Sequence, residues 1–242
     1  MSPATTSVAV PAASRAWAKR RTTGTDRAYS APLRRLPTTS GQPIASAPVT
    51  QLLVIRHGQS EWNADGRWQG QENPPLTNLG RQQARTAARA VGAIDAIYAS
   101  PLDRAATTAS ILSDELGIGP VVTLTGLMER HAGEWQGLTR DEIEEDFPGY
   151  LDSGRRPPGW EPDEAVEARV LGAFDAIATQ HPYGTVVAVA HAGVIFAAES
   201  ALGGTWERLA NLGGRWLEHT DAGWRIGDRV HLLIDETIPD QI

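Results

Sequence analysis

The stretch LLVIRHGQSEWN, residues 52–63, decides the fold. Leu52 to Ile55 is a short apolar run with the length and branched content of a buried strand, and it stops abruptly at Arg56-His57-Gly58. In an open α/β sheet, ligands bind beyond the carboxyl ends of the strands, so a guanidinium and an imidazole are delivered to the place where a pocket forms. Gly58 lets the backbone turn sharply there. A cation beside His57 lowers its proton affinity and favours the neutral, nucleophilic imidazole, while Arg56 offers a fork of donors suited to a phosphoryl group. Taken alone, the tripeptide reads equally well as a strand end with a solvated Arg and His.

Working outward, Thr185–Ala190 (TVVAVA) is the most strand-like run in the chain, and it too delivers a histidine, in His191-Ala192-Gly193. Ile94–Ala99 reads as another buried strand, and Val121–Leu124 as a fourth. Between them Thr77 caps a helix with Ala84, Ala87, Ala88 and Val91 on one face, closed by Gly92. A second helix opens at Ser100-Pro101-Leu102-Asp103-Arg104, where Ser100 and Asp103 are spaced as a capping box with Pro101 at the first helical position. That places Arg104 in a first helical turn at the ligand edge of the sheet, where helix dipole and guanidinium both favour an anion. Thr139–Phe147 reads as a short helix, and Pro148–Pro162 as a loop. A longer helix follows with Val166, Val170, Ala173, Phe174 and Ile177 on one face. Another helix runs to about Leu202, with late strands near Trp216–Thr220 and Val230–Ile234. No internal repeat and no second domain is evident in residues 51–242.

These residues resemble the histidine phosphatase superfamily, the phosphoglycerate-mutase-like proteins. Arg56, His57, Gly58, Gln59, Ser60 and Asn63 fit its opening signature, and Ser100 to Ala109 its second motif. Glu129, followed by Gly133, Trp135 and Gly137, fits the third, and His191 the fourth. Two departures stand out: Ala192 replaces the usual Gly after the second His, and Gly159-Trp160-Glu161-Pro162 keeps only part of a Gly-Gly-Glu-Ser element.

The resemblance implies a three-layer α/β/α sandwich with a mostly parallel central sheet. It also implies phosphoryl transfer through a phosphohistidine on His57, with Arg56, Arg104, Asn63 and His191 binding the phosphoryl oxygens and Glu129 as proton donor. Gln69, Gly70, His131 and Ala192 join Arg56, Asn63, Arg104 and His191 as substrate-binding candidates. No metal or other cofactor is called for. A histidine acid-type phosphatase acting on a small-molecule phosphomonoester is favoured over a cofactor-dependent mutase, because Arg130–Ala190, where related mutases carry Lys and Arg, has no Lys. Trp62, Trp68, Trp135 and Trp160 fall in pocket-side loops, either to pack those loops or to meet a sugar ring or apolar portion of the substrate.

Composition narrows the remaining classes. At 242 residues and 41% hydrophobic content the chain holds one sizeable α/β domain, and no apolar run approaches the roughly 20 residues that span a bilayer. It has no cysteine, so disulfides and thiolate metal sites are excluded. Residues 1–50 carry seven basic side chains against Asp26, leaving 15 basic against 28 acidic in the rest. An acidic body argues against nucleic acid as a partner. The basic segment reads as a disordered tail, with an organellar transit peptide or a gene-model artefact as alternatives; Arg20-Arg21 has no apolar stretch after it, as a twin-arginine signal requires. The expectation is a cytoplasmic protein whose oligomeric state the sequence leaves open, a homodimer included. Two other readings use the same residues: His57, His131, His191 and Glu129 as zinc ligands, opposed by the neighbouring guanidiniums, and a silent binding module on the same fold.

Overall fold

The computed structural model describes residues 49–233. The proposed tail, and Ile234 of the last expected strand, fall outside these described residues, save Val49 and Thr50. Thr50 belongs to the body: it is buried and begins the first strand.

The elements run β1 (Thr50–Arg56), α1 (Glu61–Ala64), α2 (Asn78–Val91), β2 (Ala96–Ala99), α3 (Asp103–Leu116), β3 (Val122–Thr123), α4 (Arg140–Asp146) and α5 (Tyr150–Ser153). Then come α6 (Asp163–Gln180), β4 (Thr185–Ala190), α7 (Ala192–Ala201), β5 (Gly213–Thr220) and β6 (Gly223–His231). One six-stranded sheet has the order β3-β2-β4-β1-β5-β6. β3, β2, β4 and β1 are mutually parallel, and β5 and β6 are antiparallel to their neighbours. The sheet is therefore mixed and mostly parallel, and helices cover both faces.

The period-2 alternation of strands builds the two cores. Leu52 and Val54 of β1 join Val186 and Ala188 of β4 beneath Val170, Phe174 and Ile177 of α6 and Val194 of α7. Leu53 and Ile55 point the other way, with Val187 and Val189, to meet Ala87 of α2 and Ala105, Ala109 and Leu112 of α3. Small residues on α2 let it lie close to the sheet, and the two halves of one apolar run thereby serve two layers.

Five local expectations change, the first being that the expected loop Pro148–Pro162 contains the short helix α5. The capping box at Ser100 does not form: α3 starts at Asp103 with Leu102 as N-cap. Ser100 Oγ accepts the Leu102 N–H at 3.2 Å, and the Asp103 N–H goes to Asn73 Oδ1 at 2.7 Å, so a neighbouring loop caps the helix instead. β3 is only two residues long and exposed, because it is the sheet edge. The last strand lies at Gly223–His231, earlier than expected; it is a half-exposed edge strand whose charged residues blur the alternation. Gly58 is needed for a close approach, not a turn: a Cβ there would sit 2.5 Å from the Gly80 carbonyl oxygen at the start of α2.

Candidate active site

β1 and β4 are adjacent and in register, with Arg56 opposite Ala190, so the residues that follow them, His57 and His191, emerge side by side. The His57 N–H donates to the Ala190 carbonyl at 3.1 Å, and the two imidazoles meet edge-on with centroids 5.1 Å apart. Both rings are buried. His57 Nδ1 lies 2.6 Å from the Gly58 carbonyl oxygen, which can only accept, so Nδ1 carries the proton and Nε2 keeps a lone pair. Burial first, then the charges of Arg104 and Arg56, hold the His57 pKa well below its ordinary value. Burial and the charges of Arg104, His57, Arg56 and Arg169 do the same for His191.

Arg104, at the start of α3, is 0% exposed. Its terminal nitrogens donate to the Glu72 carbonyl at 2.6 Å and the Gly70 carbonyl at 2.7 Å, which fixes the guanidinium plane. Burial lowers its pKa to about 10, so it stays cationic at neutral pH. Its Nε and both ring nitrogens of His191 are buried without a hydrogen-bond partner among the described residues. Arg56 is buried as well and donates to the Leu209 carbonyl at 2.7 Å. Thr108 Oγ1 accepts the Gly58 N–H and donates to the Arg104 carbonyl, tying the end of β1 to α3.

Glu129 reaches the site from the segment after β3. Its carbonyl accepts from Gln71 Nε2 at 3.0 Å and Arg169 Nη2 at 3.2 Å, and Arg169 is in turn held by a two-point contact to Glu161. The Glu129 carboxylate accepts the Arg130 N–H at 2.7 Å and the Gly193 N–H at 3.3 Å. Glu161, the acid kept from the departing Gly-Trp-Glu-Pro stretch, thus braces the backbone that carries Glu129. Ala192 is the first residue of α7 and its φ is not positive, which is why a methyl is tolerated where the resemblance implies Gly.

A cleft of about 280 Å³ opens above these groups. Arg56, Asn63, Gln69, Glu129, Ala192 and Gly193 line its inner part, and His57, Arg104 and His191 lie buried next to them. Its outer wall is aromatic, with Trp68, Trp160, Phe196 and Trp206, and basic, with Arg67, Arg130, Arg156 and Arg208 against Asp163. Trp68, fully buried Trp135 and Trp160 stack edge to face at 5.1 to 5.8 Å, so three of the four pocket-side tryptophans pack the loops against one another. Arg156 lies 4.8 Å from the Trp160 ring.

Four substrate-binding candidates are not on the cleft lining: Arg104 and His191 are buried beside it, whereas Gly70 and His131 have polar atoms committed elsewhere. Gly70 has φ +49° and presents its carbonyl to Arg104, so it aims the guanidinium. His131 turns its Nδ1 to the Gly159 carbonyl and the Gly133 N–H, 3.0 Å from each, and stays off the lining. For the same reason the zinc reading loses its third imidazole: among the described residues no three His, Asp or Glu side chains form a metal-binding group. Sequence reading missed Asn211, whose buried Nδ2 donates to the His57 carbonyl at 3.0 Å and to Asn63 Oδ1 at 3.1 Å. It also missed the 206–209 wall. Arg229 shapes that wall by donating to the Glu207 and Arg208 carbonyls while pairing with buried Glu199 at 2.6 Å. No periodicity marks either segment.

Two neutral imidazoles beside two buried guanidiniums form a centre suited to phosphoryl transfer through histidine. The chain belongs to the histidine phosphatase superfamily (branch 1), whose family model matches residues 52–228. It is 34% identical over 197 residues to glucosyl-3-phosphoglycerate phosphatase of Mycobacterium tuberculosis, covering 73% of this chain and 87% of that one. It is also 34% identical over 157 residues to a metal-independent phosphoserine phosphatase of Arabidopsis thaliana, covering 61% and 66%. The native structure of a mycobacterial glucosyl-3-phosphoglycerate phosphatase superposes with a TM-score of 0.66 at 30% identity, covering 74% of this chain and 97% of that one.

Proposed function

We propose that this protein is a phosphomonoester hydrolase for small phosphorylated metabolites, working through a phosphohistidine on His57. The observation that carries the reading is the convergence of Arg56 and His57 at the end of β1, His191 just after the adjacent β4 and Arg104 from the start of α3, with His57 held neutral and its Nε2 available. Burying guanidinium charge is costly, and a phosphate dianion is the ligand that offsets the cost. In the first step Nε2 forms a bond to phosphorus while the ester P–O bond breaks in line, and Glu129 passes its proton to the leaving oxygen. Arg56, Arg104, Asn63 and a His191 N–H hold the equatorial oxygens as charge spreads over them. In the second step Glu129 takes a proton from the water that attacks phosphorus, and Nε2 leaves. Because His57 and His191 resist protonation, the nucleophile persists into mildly acid solution, which fits an acid-type phosphatase.

Hydrolysis is favoured over a mutase reaction by the Lys-free Arg130–Ala190 interval and by relatives named as phosphatases. The outer cleft has aromatic walls and four arginines against one aspartate, suited to a substrate remainder with a ring and an anionic group. The substrates named for those relatives both carry a carboxylate as the anionic group, and glucosyl-3-phosphoglycerate carries the ring as well. The test is a panel of phosphomonoesters with a bisphosphoglycerate-dependent mutase assay alongside. Phosphate release with acid-labile labelling of the wild type, and loss of at least about a thousandfold in the His57→Ala protein, are expected. Near wild-type turnover by His57→Ala would sink the reading.

A further inference from the structure

We propose that Gly193 is a positioning residue for the general acid: its missing side chain makes the seat in which the Glu129 carboxylate rests. The inference rests on the assignment of Glu129 as proton donor and adds to it the question of how a carboxylate on an irregular segment is held still. The answer comes from the opposite strand end. Gly193 is the second residue of α7, two positions after His191, and donates its N–H to Glu129 Oε2. A Cβ built on Gly193 would fall 2.1 Å from Glu129 Oε1 and 3.1 Å from its Cδ. The space that a methyl would fill is thus the space that the carboxylate occupies.

Backbone strain does not explain the glycine. Its φ is not positive, it lies within regular helix, and alanine is the better helix former there. The atoms that a Cβ would strike belong to the end of the flexible Glu129 side chain, with Arg130 Cβ at 3.6 Å next in line. A methyl is therefore accommodated by moving the carboxylate and not by breaking the fold. The cost falls on geometry: the carboxyl group loses its seat against the Gly193 backbone in the first turn of α7, and with it the alignment to the leaving oxygen. The Arg130 N–H, adjacent in sequence, cannot by itself fix the side-chain torsions.

The test exploits the leaving group. An alkyl phosphate such as glycerol phosphate expels an alkoxide that must be protonated, whereas p-nitrophenyl phosphate expels a phenolate that is stable without a proton. For Gly193→Ala, kcat/KM, which reports the phosphorylation step, should fall at least thirtyfold more with the alkyl ester than with the aryl ester, a partial loss of the roughly 10²–10⁴ that general acid catalysis contributes. Glu129→Gln should show the same selectivity. The double variant Gly193→Ala/Glu129→Gln should be no worse than Glu129→Gln alone, since the methyl then has no acid left to displace. The melting temperature of Gly193→Ala should match or exceed wild type, and its inhibition constant for inorganic phosphate should stay within about threefold.

Equal losses on both esters, or fully additive losses in the double variant, would overturn the proposal by showing that the methyl damages the phosphate pocket or the fold. If Glu129→Gln itself fails to distinguish the esters while His57→Ala is inactive, the acid assignment falls and the seat with it, but the phosphohistidine reading stands. If His57→Ala is active, the underlying reading has failed instead.

Discussion

The floor of the site and its rim are built on opposite plans. The floor is centred on two strand ends in one sheet: His57 and His191 are adjacent because β1 and β4 pair, and the buried Arg56 and Arg104 guanidiniums beside them are held by backbone carbonyls. The rim comes from segments far apart in the chain, around Trp68, Arg130, Arg156, Trp160 and Trp206, and it is largely half-exposed, with Trp206 59% exposed. Sheet geometry holds what every phosphomonoester shares, and loops meet what differs between them. Floor substitutions should therefore lower turnover whatever the substrate, and rim substitutions should change which substrate is preferred.

The largest effect is expected at Arg104. Arg104→Met should lower kcat/KM by about a thousandfold, in line with the removal of one preorganised donor and charge, and by the same factor across a substrate panel. A loss confined to some substrates would move Arg104 from the floor to the rim. An intermediate effect concerns pH. Both histidines have folded pKa values below the ordinary value near 6.5, so on acidification the unfolded chain takes up protons first. Stability is then full above about pH 6.5 and falls below it, by up to about 1.4 kcal/mol per histidine per pH unit, until the folded rings themselves protonate. Urea unfolding at pH 7.5 and 5.5 should show this slope, and His191→Gln should flatten it; equal slopes would mean that the floor is not held neutral. The smallest effect is expected at Arg156. Its guanidinium is exposed and stacked on Trp160, so Arg156→Ala should raise KM about threefold to tenfold for a carboxylate-bearing phosphomonoester and leave simpler esters alone. Uniform changes in kcat would contradict its place on the rim.

The same division explains what could be read in the sequence. β1 and β4 are legible because their apolar runs are buried on both faces and end abruptly in polar residues. α2 follows from its cap and periodicity and α6 from its periodicity, and α4 and the end of α7 lie close to the expected bounds. The start of α3 is misjudged because Asn73, thirty residues away, does the work that a local cap would do. Arg56, His57, Arg104, Glu129 and His191 are legible as chemistry, and the structure brings them together. Asn211 and the Arg229 contacts are not, because they act across 154 and 22 residues of separation from segments with no repeating pattern. Gly70 and His131 show the complementary error: both lie next to the site in sequence, but their polar atoms are committed to neighbouring protein groups.

The alignment of Arg56 with Ala190 has one more consequence. Strand registers change in whole residues, and a one-residue slip reverses every side chain from one sheet face to the other. The spacing of the two imidazoles is therefore a quantised property of the sheet, with no half-aligned intermediate between the native pairing and a scrambled core. During refolding, the return of phosphate release would report that these two strands have found each other, more directly than any spectroscopic measure of helix or sheet content.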